Sequence, residues 1–292
     1  MNPMTVREAM QQASRFFESN NIIDGPFLAE YIIRHCLEWD RTAFLTRLQD
    51  PLPEDSWGKI KEIMERRANG EPLQYIFGEQ EFYGLPFHVN PSVLIPRPET
   101  ELLVEEALQR IPEIFPEDQT IVVVDVGTGS GAIIVSMAVF GSPRWKYLAL
   151  DISPDALKTA ESNARSNGVG QQISFLEGDL LSPFQNGTVP INVLLSNPPY
   201  IPSGDIAGLD TQVKDHEPLS ALDGGQDGLD LYRRMINQLP PVIGDKAFVG
   251  FEVGMGQAED VKAMLEDTGL FQETYIIDDY AGIGRHVIAI RS

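Results

Sequence analysis

The sequence predicts an α/β fold: an open, mostly parallel, doubly wound sheet behind a small helical bundle. Three observations point there. From Thr120 onward short apolar runs alternate with helical patterns, the signature of a sheet whose strands are joined by crossover helices. A glycine-rich turn, Asp125-Val126-Gly127-Thr128-Gly129-Ser130-Gly131, follows the first run and leads into a helix. Acids, Asp125, Asp151 and Asp179, stand at the ends of three successive runs, where such sheets bind ligands.

The elements follow in order. Residues 5–70 carry only helical spacing: Val6, Met10, Ala13, Phe16 and Phe17, then Phe27, Tyr31, Ile32, His35 and Cys36, then Ile60, Ile63, Met64 and Arg67. Polar breaks at Asn20-Asn21, Asp24-Gly25-Pro26 and 51–55 divide them into four or five helices. The bundle is assigned residues 1–72; nothing in it looks like catalytic chemistry, and its role is either scaffolding or gripping a partner. Residues 73–98 read as a hairpin linker, Phe82 to Val89 alternating around a Gly84-Leu85-Pro86 turn before Pro91, Pro96 and Pro98 stiffen the path. The remaining 99–292 form the larger domain. It opens with a helix over 99–110, one face marked by Leu102, Leu103, Val104 and Ala107.

Strands are expected at Ile121–Val126, Tyr147–Leu150, Ile173–Leu176, Val193–Leu195, Ala247–Glu252, Tyr275–Ile277 and His286–Ile290. Between them lie a buried helix at Ala132–Val139 and a second at Pro154–Asn167, with Ser153 as N-cap and Pro154 in the first turn.

Charge and cysteine content exclude several classes. Of 292 residues, 43 are acidic and 22 basic, a net charge of −21, and residues 91–292 alone carry −16. Nucleic acid is gripped largely through its phosphates, so direct nucleic-acid binding is not expected, while a basic protein surface suits the field. The lone Cys36 rules out a disulfide framework and points to a reducing compartment, the cytoplasm. Cys36 itself reads as a small buried apolar group. There is no secretory h-region at the N-terminus and no run of about 18 apolar residues, so no membrane association is expected. Histidines 35, 88, 216 and 286 are dispersed, and no metal-ligand spacing emerges.

The glycine loop is G-x-G-x-G, neither the G-x-G-x-x-G of dinucleotide folds nor a P-loop. Glycines at 127, 129 and 131 let the backbone turn sharply and approach a ligand, with Thr128 and Ser130 between them. Asp151, 20 residues after Gly131, can accept both hydroxyls of a ribose. Asp179 can meet an adenine amine. An adenosine-containing ligand follows. Asp125 argues against a pyrophosphate and for a cationic ligand such as S-adenosyl-L-methionine.

The second motif is Asn197-Pro198-Pro199-Tyr200, after the fourth strand. Two acceptors, the Asn197 side-chain carbonyl and the Pro198 backbone carbonyl, can bind both hydrogens of a planar NH₂ group. The prolines fix the direction of that carbonyl. Tyr200 offers a flat face to a planar amide or base. Such a site aims a poor nitrogen nucleophile along the S–CH₃ axis, so transfer becomes a matter of positioning.

These residues resemble the HemK/PrmC family, the protein-(glutamine-N5) methyltransferases of peptide chain release factors. The matching stretches are Pro72 to Ile76, Glu81 to Gly84, Leu94-Ile95-Pro96-Arg97-Pro98-Glu99-Thr100-Glu101, the glycine loop, and Asn197 to Tyr200. The resemblance covers nearly the whole chain. It implies a class I S-adenosylmethionine-dependent methyltransferase domain, with a seven-stranded Rossmann-like sheet whose last strand is antiparallel, behind a helical domain. It implies transfer to the glutamine side chain of a release factor's Gly-Gly-Gln motif. By position, Gly127 to Gly131, Asp151, Leu180 beside Asp179, and Asn197 line the donor. Asn197, Pro198, Pro199 and Tyr200 hold the glutamine, and Leu94 to Arg97 wall the cleft. Some relatives carry an aromatic where Leu180 stands.

The competing reading is a nucleic-acid exocyclic amino-methyltransferase, since a base amine is also a planar NH₂. Such an enzyme must grip phosphates, and the net −16 of residues 91–292 opposes that. The segment Ser203 to Asp230, with seven acids and only Lys214 as a base, reads as an acidic lid or rim beside the acceptor. His216 in it is a candidate for the proton lost after methylation. Gly224-Gly225-Gln226 reads as a turn leading into a helix rather than an internal substrate. A monomer is expected.

Overall fold

The computed structural model describes residues 3–185, 187 and 190–292. The chain divides into two compact units, residues 1–77 and 78–292. The boundary falls inside the 73–98 stretch expected as a linker.

The first unit holds five helices: α1 (Val6–Ser19), α2 (Gly25–Leu37), α3 (Arg41–Thr46), α4 (Ser56–Ala68) and α5 (Leu73–Phe77). A reciprocal capping box starts α1: Thr5 Oγ1 accepts from the Glu8 amide at 3.2 Å, and Glu8 Oε2 accepts from the Thr5 amide at 2.8 Å. Val6, Ala9, Ala13 and Phe17 turn inward from α1, and Ile60 and Met64 from α4. In α2 the buried face is Ala29, Ile32 and Ile33, whereas Phe27 and Tyr31, expected on the apolar face, are exposed and stack with ring centroids 6.2 Å apart. Phe27 thus covers the Tyr31 ring rather than the core, and Tyr31 also meets Phe77 of α5, with centroids 5.7 Å apart. Cys36 is half-buried.

The second unit begins with a hairpin, β1 (Glu79–Phe82) and β2 (Leu85–His88). Its two-residue turn, Tyr83 at φ 51° and Gly84 at φ 72°, has the positive φ pair that matches strand twist. Then follow α6 (Glu101–Ile114), β3 (Val122–Val126), α7 (Ala132–Phe140), β4 (Lys146–Asp151), α8 (Pro154–Ser166), β5 (Ile173–Glu177) and β6 (Ile191–Ser196). After a stretch containing the short α9 (Thr211–Lys214) come α10 (Asp230–Gln238), β7 (Ile243–Glu252), α11 (Ala258–Asp267), β8 (Glu273–Asp278) and β9 (Gly284–Arg291).

Seven strands form one sheet in the order β5-β4-β3-β6-β7-β9-β8. β3 to β7 pair in parallel, and β9 runs antiparallel to both neighbours, as expected of the last strand. The period-2 alternation of each strand feeds two cores. Val123, Val193 and Phe248 pack with α6 and α7 on one face; Val122, Val124, Leu194 and Val249 pack with α10 and α11 on the other. That double burial is why the strands read as unbroken apolar runs. Strand order reverses around β3, whose neighbours are β4 and β6, so a crevice opens above its carboxyl end. Among the described residues, no helix is long and apolar enough to cross a membrane.

Candidate functional site

The carboxyl ends of β3, β4 and β6 and the turn after β5 open on a cavity of about 320 Å³. Its lining includes Gly127, Thr128, Gly129, Ser130 and Asp151 on one side, and Asp179 and Leu180 beside them. Asn197, Pro199 and Arg97 line it as well. The glycine loop and the Asn-Pro-Pro-Tyr loop, separated by some 70 residues of chain, therefore bound the same space.

The three loop glycines are required for different reasons. All have positive φ: 71° at Gly127, 54° at Gly129 and 82° at Gly131. A Cβ on Gly127 would meet nothing within 4 Å, so the space above it is cavity. A Cβ on Gly131 would lie 3.1 Å from the Ala160 side chain, so this glycine instead lets α7 and α8 approach. The amides of Gly127 and Thr128 both donate to the Leu150 carbonyl, at 2.8 and 3.0 Å, tying the turn to the end of β4. Asn163 on α8 secures it from behind. Its Nδ2 donates to the Ser130 carbonyl at 2.8 Å and to that of His88 at 2.9 Å, and its Oδ1 accepts from the His88 amide.

The three strand-end acids separate by environment. Asp125 is fully buried beneath the loop and is not part of the cavity lining; its Oδ2 accepts from Thr128 Oγ1 at 2.6 Å. It braces the loop rather than facing a ligand across the cavity. Burial pushes its carboxyl up to about 7, against the Thr128 hydrogen bond and with a contribution from the Asp151 charge. Asp151 lines the cavity. Its Oδ2 accepts from the Gly129 amide and its Oδ1 from the Ser153 amide, each at 2.9 Å. Burial raises its pKa, and those backbone donors oppose the rise. Asp179 is half-exposed and pairs with Arg234 Nη2 at 2.6 Å. Leu180 holds φ 50°, unusual for a branched side chain, and lines the cavity beside it.

β6 ends at Ser196, whose hydroxyl donates to the Val126 carbonyl at 2.6 Å, and Asn197 follows. Asn197 Nδ2 donates to Thr100 Oγ1 at 3.2 Å. Pro198 and Tyr200, like Gly131, lie outside the cavity lining, although Pro199 is in it. Pro198 is buried. Burial pushes the Tyr200 hydroxyl up to about 12, with the Glu252 charge adding to it. The Tyr200 carbonyl accepts from Gln257 Nε2 at 2.9 Å.

The 203–230 segment forms part of the wall through Pro218, Ser220, Ala221 and Asp223. It is less uniformly an acidic rim than its composition suggests. Glu217 is buried and takes the Arg97 guanidinium at 2.6 Å, while Asp227 and Asp230 pair with Arg233. His216 is outside the lining. Gly224-Gly225-Gln226 is a turn before α10, and it also packs on the Asn-Pro-Pro-Tyr loop: a Cβ on Gly224 would lie 2.8 Å from the Pro199 carbonyl oxygen. Arg97, expected on the substrate side, lines the cavity with its guanidinium held by Glu217.

Sequence reasoning missed Thr100, Glu252, Glu217 and Asn163. Thr100 was within reach, lying in the Leu94–Glu101 stretch. Glu252 ends β7 as Asp151 ends β4, and the rule that finds acids at strand ends covers it too. Nothing in the sequence flags Asn163, and Glu217 stands out only as one of the seven acids of the 203–230 segment. Among the described residues, no group of three or more His, Cys, Asp or Glu side chains could hold a metal ion.

Residues 8–78 match the PrmC N-terminal domain, and residues 117–221 match a methyltransferase domain. The release factor glutamine methyltransferase of Bacillus cereus is 40% identical over 286 residues, covering 98% of this chain and 99% of that protein. That of Bacillus subtilis is 38% identical, with 98% of each chain covered. At the level of fold alone, the catalytic domain of hMettl16 superposes with a TM-score of 0.54 at 15% identity, covering 78% of this chain and 81% of that one.

Proposed function

The chain belongs to the release factor glutamine methyltransferase family, and from that membership we propose that it methylates the side-chain amide N5 of the glutamine in the Gly-Gly-Gln motif of peptide chain release factors, using S-adenosyl-L-methionine. The observation that carries the reading is that Asn197 lines the same cavity as Gly127, Gly129 and Asp151. In this reading donor and acceptor groups share one cavity, which is what direct transfer requires.

The residues present fit the donor. The open space above Gly127 admits a close ligand, where any side chain would intrude. The Asp151 carboxylate is held in one plane by the Gly129 and Ser153 amides, and its remaining lone pairs can accept two vicinal ribose hydroxyls. Leu180 offers an apolar face for a purine, and Asp179 stands beside it at the rim. Bound there, S-adenosylmethionine supplies a methyl group on a positively charged sulfur.

The acceptor side works through orientation. Asn197 commits its Nδ2 to Thr100, leaving its Oδ1 to accept one N–H of the glutamine amide. The other is assigned to the Pro198 carbonyl, whose direction two consecutive prolines fix, although Pro198 itself is buried outside the cavity lining. Tyr200 backs the loop. An amide nitrogen is a weak nucleophile because its lone pair is delocalised. Two acceptors holding its hydrogens favour pyramidalisation and aim the lone pair, and no covalent intermediate is required. In this reading the helical unit grips the release factor, and the enzyme acts as a monomer in the cytoplasm without direct nucleic-acid binding.

The test uses radiolabelled S-adenosylmethionine with three acceptors: a release factor, its Gly-Gly-Gln→Gly-Gly-Ala variant, and total RNA plus DNA. Label on the release factor that vanishes with the variant supports the reading. Label on nucleic acid, with none on the release factor, overturns it in favour of a base-amine methyltransferase.

A further inference from the structure

Asn197 is useful to a glutamine amide only in one of its two orientations. Turned by 180°, it presents NH₂ where a carbonyl is needed and sets donor against donor. What decides the orientation is the group beside it, which lines the same cavity. That group is Thr100 Oγ1, at 3.2 Å from Asn197 Nδ2, and a threonine hydroxyl can either donate or accept.

The ambiguity is removed one step further back. Thr100 Oγ1 donates to Glu252 Oε2 at 2.5 Å, a contact in which both residues are almost wholly buried, at 4% and 2% exposure. As a carboxylate, Glu252 only accepts, so the single hydroxyl proton of Thr100 is committed to it. Toward Asn197 the hydroxyl then offers lone pairs alone, and these select the NH₂ end. The fold brings the three together. Ser196 and Phe251 are register partners in the parallel β6–β7 pair, so Asn197 and Glu252 are the next residues along two adjacent strands. Thr100 closes the short 3₁₀ turn Pro98–Thr100 against them. The Glu252 backbone is held in turn by the Tyr232 hydroxyl, which donates to its carbonyl at 2.6 Å.

We propose that Thr100 and Glu252 are positioning residues that set the polarity of the Asn197 amide, so that a carbonyl rather than an NH₂ faces the acceptor glutamine. The inference rests on the reading of Asn197 as a hydrogen-bond acceptor for that glutamine. Neither residue touches the reacting atoms in this scheme. Their effect passes through a hydrogen-bond direction, and isosteric changes therefore reveal it. Glu252→Gln keeps the shape but introduces an NH₂ that can donate to Thr100, freeing the hydroxyl to donate to Asn197 and favouring the flipped amide. Thr100→Val removes the hydroxyl at nearly constant volume, and Thr100→Ser restores it.

The experiment measures kcat and KM on a release factor, and donor affinity by calorimetry, for the wild type, Asn197→Ala, Thr100→Val, Thr100→Ser and Glu252→Gln. The expected result is that Thr100→Val and Glu252→Gln lower kcat by about 10–100-fold, the size of one lost or reversed hydrogen bond in a closed site. Donor Kd stays within about twofold, and Thr100→Ser recovers most of the kcat lost in Thr100→Val. If Glu252→Gln folds poorly, shown by early melting and lost donor binding, the Thr100 pair decides. Thr100→Val with near wild-type kcat, beside an Asn197→Ala variant that has lost it, overturns the relay and leaves the role of Asn197 standing. Asn197→Ala with full turnover overturns both.

Discussion

Arg97 Nη2 donates to Glu217 Oε1 at 2.6 Å, joining two walls of the cavity that lie 120 residues apart in sequence. The Glu217 side chain is 1% exposed, and burial drives its carboxyl toward the neutral form while Arg97 opposes that shift. Arg97 keeps a third of its surface, so the pair is only half withdrawn from solvent. Removing one partner leaves the other charge stranded. Arg97→Leu is expected to cost about 2 kcal/mol of stability and to raise KM for the release factor, because the 203–230 segment loses its anchor. The double variant Arg97→Leu with Glu217→Leu is expected to regain most of the stability in urea unfolding. A double variant as unstable as the sum of the singles would show that the pair is not the anchor.

In the proposed reading Asp151 serves the donor and Asn197 the acceptor, and their variants are expected to separate accordingly. Asp151→Ala removes a carboxylate that can accept two hydroxyls, and it frees the Gly129 and Ser153 amides. Donor affinity is expected to fall by about 10–100-fold. Asn197→Ala is expected to leave donor affinity nearly intact and lower turnover by about 10²–10³. Calorimetry for binding and steady-state kinetics for turnover check both; equal effects of the two variants on donor affinity would undo the division.

Gly228 is where the glycine-rich turn before α10 supports the Asn-Pro-Pro-Tyr loop. Its φ is +78°, and a Cβ there would lie 2.2 Å from the Tyr200 carbonyl oxygen and 2.5 Å from the Gln257 amide nitrogen. Gly228→Ala must therefore move Tyr200 or break the Gln257 hydrogen bond to it. A loss of about 2 kcal/mol and a marked drop in kcat are expected. Gly204→Ala in the same segment, with nothing within 4 Å of the new methyl, is the control and is expected within about 0.5 kcal/mol of the wild type. Thermal unfolding and kcat on both variants settle the comparison.

Asp125 gives the stability a pH dependence of definite sign. Its folded-state pKa, about 7, stands above the ordinary value of 3.8 because the carboxyl is buried. The folded protein thus holds a proton that the unfolded chain releases. The stabilisation is fully present below about pH 4 and is lost as pH rises toward and through 7, at up to about 1.4 kcal/mol per pH unit. Asp125→Asn abolishes this titration. The melting temperature of the variant relative to the wild type is expected to climb by several degrees between pH 5 and pH 8. A constant difference would place the ionisation elsewhere.

The sequence by itself determined the fold and named part of the cavity's lining. All seven runs from Ile121 to Ile290 emerge as strands, because the inner strands are buried on both faces and read as apolar runs; the first begins one residue later, at Val122, and the other six extend by one to four residues. The glycine loop, Asp151 and Asn197 were legible because their chemistry depends on residue type at a fixed local spacing. In α2 the same reasoning misplaced Phe27 and Tyr31, since apolar spacing cannot say which of two adjacent faces meets the bundle. Only the tertiary structure decided that Asp125 lies beneath the loop, that Arg97 faces Glu217, and that Thr100 and Glu252 stand beside Asn197. These are contacts between residues 97 to 152 positions apart or between a side chain and a neighbouring layer. Local periodicity carries no information about such contacts, because they are set by strand order and packing rather than by spacing along the chain.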